Sequence, residues 1–291
     1  MKIAVYTRPC DEEDFLFIQG VIEELLHAGC EVVLHDKVRA ANKKMEQFFS
    51  FSNHEDLARI KGVDFVFSFG GDGTFIDAAN LIGALPITLV GINTGRIGFL
   101  THMNRVNYKE AIAKLLTGQY DVVNRSLLHL DSSHSLGLPS NFALNDITVR
   151  TSDENSINAI NVWVGGSLVN TYWGDGLIIS TPTGSTAYSL SCGGPIIVPS
   201  ANVNVLTPVA SHSLSVRPIV ISAEEEICIT VESRNQSFSL ALDSNRVVVD
   251  NPVELVIKKE SFSIKTILMN DADFYSVIRE KLLWGIDKRN T

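Results

Sequence analysis

The chain has little cysteine, and what it has is scattered. Cys10, Cys30, Cys192 and Cys228 form no Cys-x-x-Cys pair, and no histidine falls at zinc-finger spacing. That excludes a disulfide framework and predicts free, buried thiols. No apolar run reaches the roughly 18 residues a membrane span needs. There is no excess of positive charge: 24 Lys+Arg against 33 Asp+Glu leave a formal net charge of −9. Gripping a nucleic-acid backbone takes a cationic face, so nucleic acid is not an expected partner. An anionic small molecule would have to be held by local donors or a metal. Internal repeats and low-complexity segments are missing too. Lys2 leads straight into the strand-like Ile3-Ala4-Val5-Tyr6, a start without the n-region and h-region of a secretory leader, and the expected location is the cytoplasm. What remains is a globular composition, 45% hydrophobic and 20% charged over 291 residues, enough for one large domain or two of ordinary size.

The first part alternates between two periodicities. Lys2 to Tyr6 reads as a strand. Asp11 to Cys30 reads as a helix, with Phe15, Ile18, Val21, Ile22, Leu25 and Leu26 recurring at three and four and acids in its first turn. Glu31 to His35 is a second strand, Ala40 to Phe51 is expected to be helical, and an apolar run follows to Phe69. A helix from about Phe75, a short strand over Pro86 to Ile92 and a helix over Val106 to Leu116 complete the pattern. Such alternation implies right-handed βαβ crossovers, a parallel Rossmann-like sheet, and a ligand site beyond the strands' carboxyl ends.

The apolar run Phe65-Val66-Phe67-Ser68-Phe69 stops at Gly70-Gly71-Asp72-Gly73-Thr74. Glycines here free the backbone to approach a ligand, and amides curled between a strand end and a helix start attract phosphate oxygens. Asp72 is then the anomaly, because a carboxylate beside phosphate is repelled. It belongs there if a cation intervenes, or if it accepts the proton of an attacking hydroxyl. Both readings point to phosphoryl transfer with Mg²⁺, against the plainer one in which Asp72 caps a helix. The pentapeptide resembles the signature shared by NAD kinases, 6-phosphofructokinases and the diacylglycerol and sphingosine kinases. A second glycine-rich loop, Gly91 to Leu100, falls on the same rim and offers Arg96 as a phosphate or interface cation and Phe99 as a surface for a ring.

Near Val122 helical periodicity gives way to short β-branched runs: Ala143 to Arg150, Ile157 to Val164, Leu177 to Ser180, Val216 to Ile221, Ile227 to Val231, Phe238 to Leu242, Val253 to Ile257 and Phe262 to Leu268. These predict a second, all-β domain built as a two-sheet sandwich. The expected division is 1–122 for the α/β domain, with 270–291 packing back on it, and 123–269 for the β-rich domain. A last helix, Asp273 to Trp284, carries Phe274, Val277, Ile278, Leu282 and Leu283 at helical spacing and needs the first domain to bury them.

Two stretches of the β-rich part carry more polar chemistry than folding asks for. In Ala143-Leu144-Asn145-Asp146-Ile147 an amide and an acid interrupt an apolar run, a pair suited to a sugar diol or, alternatively, to a bulge. Between Trp173 and Pro195, Asp175-Gly176 precedes a buried strand, and seven Ser and Thr lie between Ser180 and Ser191. Ser185, Thr186, Ser189 and Ser191, with amides at a helix start, would hold a base and ribose by neutral hydrogen bonds.

In this order and spacing, Gly70 to Thr74, Gly91 to Leu100, Asn145-Asp146, Asp175 to Pro195 and Leu242-Asp243-Ser244-Asn245 resemble the bacterial NAD kinases. The resemblance implies a homodimer or homotetramer that uses Mg²⁺ and ATP, or polyphosphate, to phosphorylate the 2′-hydroxyl on the adenosine ribose of NAD. It implies Asp72 as proton acceptor and Gly70, Gly71, Gly73 and Thr74 as the phosphate pocket, with Mg²⁺ held mainly by ATP's phosphates. It implies dinucleotide contacts at Asp72, Gly73, Phe99, Asn145, Asp146, Trp173, Asp175, Thr186, Ala187, Tyr188, Ser189, Leu190, Ser191, Ala210 and Asn245. The chain departs from the family's habit at three positions: Asp146 where Glu is usual, and Trp173 and Asp77 where a basic residue is common. Two rival functions stay open on the sequence, a lipid kinase of the same superfamily and a module that binds NAD(P) without turnover.

Overall fold

A computed structural model describes residues 1–95, 98–101, 103–152, 157–233, 236–269 and 274–284. In chain order the first elements are β1 (Lys2–Thr7), α1 (Glu12–His27), β2 (Glu31–His35), α2 (Asp36–Ala40), β3 (Ser50–Phe51), α3 (His54–Arg59), β4 (Phe65–Phe69), α4 (Asp72–Ile82), β5 (Thr88–Asn93), β6 (Met103–Asn104), α5 (Tyr108–Leu116) and β7 (Tyr120–Arg125). Then come β8 (Leu128–Ser132), β9 (Phe142–Ala143), β10 (Asp146–Thr151), β11 (Asn158–Val164), β12 (Ser167–Gly174), β13 (Gly176–Ser180), α6 (Tyr188–Ser191), β14 (Val203–Val209) and β15 (Ile219–Ser222). The last are β16 (Ile227–Glu232), β17 (Ser237–Leu242), β18 (Asn245–Asp250), β19 (Glu254–Lys259), β20 (Ile264–Met269) and α7 (Phe274–Leu282). They form two compact units, Met1–Asn124 with Ile264–Thr291, and Arg125–Ser263. Among the described residues no helix is long and apolar enough to cross a membrane.

The first unit carries an eight-stranded sheet in the order β3-β2-β1-β4-β5-β20-β7, with β6 beside β5. The pairs β1–β2, β1–β4, β4–β5 and β5–β20 are parallel. Every residue of β4 is buried, as a central parallel strand requires. Asp11 caps α1 by accepting the Asp14 N–H at 2.8 Å, and Phe15, Ile18, Val21, Ile22 and Leu25 face the core. Each such side chain contributes on the order of 2 kcal/mol.

Several expectations are corrected here. The helix expected over Ala40 to Phe51 starts earlier and stops sooner: His35 Nδ1 accepts the Lys37 N–H and opens α2, while Ser50 and Phe51 pair with Leu34 and His35. The run Phe262 to Leu268, expected in the β-rich part, yields β20, and Lys265 and Thr266 pair with Thr88 and Leu89 of the first sheet. Alternation marks a strand but not the sheet it joins. On α7 Ile278 is buried, whereas Leu283 and Trp284, expected in the same helix, follow its end and are exposed, and Asp273 lies outside the described residues. All four cysteines are free, but of them only Cys30 is buried: Cys192 and Cys228 are half-buried, and Cys10 is exposed in the loop just before the α1 cap.

The second unit is two six-stranded antiparallel sheets, β15-β14-β13-β10-β17-β18 and β12-β11-β16-β19-β8-β9. One apolar cluster draws Ile147, Val149 and Leu177 from the first and Ile160, Ile229 and Leu255 from the second, so the two sheets share a single sandwich core. The run expected as one strand from Ala143 to Arg150 is split into β9 and β10, and the interruption is at Leu144-Asn145.

Candidate active site

In the first unit the glycine turn joins β4 to α4. Gly70 has φ +143°, and a Cβ there would lie 2.4 Å from Thr74 Oγ1, so the position admits only glycine. Gly71 is the N-cap of α4 without any side-chain cap, and Asp72 is the first helical residue, three positions before the expected start. Thr74 and Phe75 N–H both donate to Gly71 O, at 3.0 and 3.2 Å, and Gly70 N–H donates to Ile92 O at 2.9 Å, so the amides the turn has to offer are those between Gly70 and Thr74.

Asp72 does not cap its own helix. Its Oδ2 accepts the Phe99 N–H at 2.9 Å and its Oδ1 accepts the Leu100 N–H at 3.0 Å. The carboxylate is therefore aimed by two amides of the loop after β5, and each oxygen keeps lone pairs for a proton or a cation. Gly98 makes this approach possible: a Cβ there would fall 1.9 Å from Asp72 Oδ1. Phe99 is half-buried beside it. Arg96, the other residue expected from this loop, lies outside the described residues.

In the second unit, Asn145 and Asp146 are buried, and Asn145 Oδ1 has no hydrogen-bond partner. A buried acceptor without a donor is costly, and a ligand's hydroxyl would relieve it. Asp146 Oδ1 accepts from Thr148 Oγ1 at 3.0 Å. Burial first, and then the neighbouring Asp243 charge, push its carboxyl up to about 7. Asp243 sits at φ +50° in the turn between β17 and β18. Its Oδ2 accepts the Leu144 N–H at 2.8 Å, and its Oδ1 those of Asn145 and Asp146 at 2.7 and 3.2 Å. One carboxylate thus fixes the backbone of the expected ribose pair, and Asn245 begins β18 just past the same turn. Its own pKa is raised by burial, against the three backbone hydrogen bonds that lower it.

The hydroxyl-rich segment divides. Ser180, Thr181, Ser185 and Ser189 are fully buried. Thr181 Oγ1 donates to Leu144 O at 2.6 Å, Ser185 Oγ donates to Pro182 O at 2.7 Å, and Ser189 Oγ pairs with Thr207 Oγ1 at 2.8 Å. These hydroxyls hold the segment together. Gly184 packs on Asn145, where a Cβ would meet Asn145 O at 2.0 Å. Thr186, Ala187, Tyr188 and Leu190 are half-buried and Ser191 is exposed, so they are the members of the set with surface to offer. The short helix expected to open in this segment, α6, is the four residues Tyr188–Ser191. The Tyr188 ring lies 5.9 Å from the Arg150 guanidinium.

Trp173, Asp175 and Ala210 form a separate group at the far end of β13. Asp175 N–H donates to Val209 O at 3.1 Å, and Ala210 takes a left-handed φ of +46°. A Cβ at Gly174 would meet Ala210 O at 2.8 Å, so glycine lets these two backbones close. Trp173 is 55% exposed. Asp146 pairs with Ser180 and Arg150 with Gly176, so the two groups are separated by the length of β13, about 17 Å at strand rise.

Comparison with known proteins accounts for both halves. Residues 3–120 match the ATP-NAD kinase N-terminal domain and residues 144–268 the ATP-NAD kinase C-terminal domain. An NAD kinase of Flavobacterium psychrophilum is 40% identical over 296 aligned positions covering 100% of both chains. The chain belongs to the NAD kinase family. Among solved structures, an NAD kinase from Archaeoglobus fulgidus in complex with ATP superposes with TM-score 0.72 at 25% identity over 98% of each chain. Yeast NADH kinase complexed with NADH reaches TM-score 0.88 at 20% identity, over 100% of this chain and 89% of that one, a likeness of fold.

The roles of three residues near the family's motifs escaped the sequence reading. Asp243 was legible only as a member of the Leu242 to Asn245 resemblance, without the backbone clamp it forms. Arg8 follows β1 on the rim of the Asp72 turn, and a cation directly after a strand at that point was the available signal. Lys281 on α7 is close enough to Asp72 to feel its charge, although burial is what chiefly lowers its pKa.

Proposed function

We propose that the chain is an ATP-dependent NAD kinase, transferring the γ-phosphate to the 2′-hydroxyl of the adenosine ribose of NAD to give NADP. The observation that carries this reading is the Asp72 carboxylate, held by the Phe99 and Leu100 amides within a glycine turn, in a chain related along its whole length to an NAD kinase. Asp72 accepts the hydroxyl proton as that oxygen attacks phosphorus. Amides of the turn between Gly70 and Thr74, whose own N–H groups donate to Ile92 O and Gly71 O, receive the phosphate oxygens. Asn145 and Asp146 accept from the ribose and base side, and Tyr188, Asp175 and Asn245 hold the rest of the dinucleotide.

Among the described residues no group of three or more His, Cys, Asp or Glu is gathered to cage a metal. The donor at hand is the Asp72 carboxylate, whose oxygens keep lone pairs beside the Phe99 and Leu100 amides, and it fits Mg²⁺, which keeps waters and binds through one or two carboxylates and substrate phosphates. ATP's phosphates would hold it, and when bound it neutralises charge on the transferring group. The enzyme works in the cytoplasm as a homodimer or homotetramer, as the family resemblance implies, and light scattering of the purified protein checks the assembly.

The test is a matrix of ATP or polyphosphate against NAD or NADH, with Mg²⁺ or with chelator, each product identified by mass. NADP formation from ATP and NAD is the expected result, and Asp72→Asn should lose about 10²- to 10⁴-fold in kcat. Phosphorylation of diacylglycerol in place of NAD, or tight NAD binding with no product, would replace this reading with a lipid kinase or a sensor.

A further inference from the structure

The strand order of the first sheet reverses between β1 and β4: β2 and β3 lie outward from β1, and β5 lies outward from β4. Such a reversal opens a crevice at the carboxyl ends of the two strands, where ligands of open α/β sheets bind. Thr7 pairs with Phe69, so the residues that follow, Arg8 and Gly70, leave the sheet side by side.

Arg8 does not point freely into solvent. Its Nε and Nη2 donate to Asp77 Oδ2 and Oδ1 at 2.6 and 2.9 Å, a two-pronged pair that fixes the plane of the guanidinium. Tyr6 Oη also donates to Asp77 Oδ2, at 3.3 Å, and steadies the carboxylate from beneath. The result presses the third nitrogen onto the glycine turn: a Cβ on Gly73 would lie 3.0 Å from Arg8 Nη1. Both Asp77 bonds leave from the other two nitrogens, so the N–H groups of Nη1 face the first turn of α4 with the side chain 45% exposed. On its other side Arg8 lines a cavity of about 560 Å³ whose rim also carries Asp11 and Glu12, acids that disfavour an anion there. The Gly73 side is where its charge is usable.

We propose that Arg8 is a binding residue for the phosphate chain of the nucleoside triphosphate donor, and that Asp77 is the positioning residue that presents it. The proposal rests on the kinase reading above and adds to it a cation that the glycine turn itself lacks. Amide donors next to the Asp72 charge make a weak seat for a polyanion. A guanidinium held rigidly against the same turn, its formal charge balanced by Asp77, adds two aimed N–H donors for phosphate oxygens at little further entropic cost.

The test separates the donor from the acceptor. In Arg8→Ala the KM for ATP should rise roughly tenfold to a hundredfold, as for loss of a charge-assisted contact. The KM for NAD should stay within about twofold. Asp77→Asn should raise the ATP KM by less, and Arg8→Lys should recover part of the loss. Calorimetric binding of a non-hydrolysable ATP analogue with Mg²⁺ should show the same order without turnover. In the unaltered protein, phenylglyoxal labelling of Arg8, mapped by mass, should slow with MgATP present and not with NAD. A folded Arg8→Ala variant with unchanged ATP KM and affinity would reduce the pair to a tie between β1 and α4. Labelling that ignores MgATP would overturn the proposal even if the variants fail to fold. If the unaltered protein made no NADP, the kinase reading would fall, whereas analogue binding and labelling would still report on Arg8.

Discussion

Gly98 stands directly over the Asp72 carboxylate, so close that a methyl group at position 98 would lie 1.9 Å from Oδ1 and 2.4 Å from Cγ. Gly98→Ala must therefore push the carboxylate aside or break the bonds from Phe99 and Leu100. Displacing a reacting group by about 1 Å can cost on the order of 10²-fold in rate. The expected outcome is a kcat reduced roughly tenfold to a hundredfold with the melting temperature nearly unchanged. Initial rates of NADP formation beside a thermal scan check it, and a variant within twofold of the parent would show that the aim of Asp72 is not set by this loop.

Asp243 accepts three backbone N–H groups with two oxygens. In Asp243→Asn one oxygen becomes an NH₂, which cannot accept, so a buried N–H loses its partner at a cost of about 1–3 kcal/mol. Removing the charge also relieves Asp146. The backbone bonds should win, giving a lower urea midpoint and a raised KM for NAD. A more stable variant would mean that desolvation and repulsion between the two carboxylates outweigh the clamp.

Asp146 gives stability a definite pH dependence. Its folded pKa, about 7, lies above the ordinary carboxylate value near 4. The unfolded chain therefore releases this proton first, and the group costs stability progressively from about pH 4 to pH 7, with no further change above. Asp146→Asn cannot ionise and lacks this loss. The stability difference between variant and parent should move in the variant's favour across that window, as read by urea denaturation at pH 4 to 8. A difference independent of pH would show that the carboxyl titrates normally.

Much of the fold was legible because burial leaves a mark on composition. A run apolar but for Ser68 and ending in glycines reads as a buried central strand, and β4 is that. The start of α4 was not legible, because Asp72 looks like a cap in sequence and becomes helical only when a distant loop takes its carboxylate. The hydroxyl-rich segment misled in a similar way. Composition announces many hydroxyls, but which of them turn inward is decided by partners such as Leu144 O and Thr207 Oγ1, far off in the chain. Asp243 reaches its partners about a hundred positions away, beyond any local pattern.

The seat of β20 between β5 and β7 makes the first unit a body closed by the last tenth of the chain. During synthesis the Asp72 turn can form early, but its sheet keeps an open slot until residues 264–269 have left the ribosome. By then everything needed for the sandwich has already emerged. The sheet behind the Asp72 turn is therefore finished last, although its motif is translated early, and a nascent chain stalled before Ile264 would carry the signature without a complete sheet behind it.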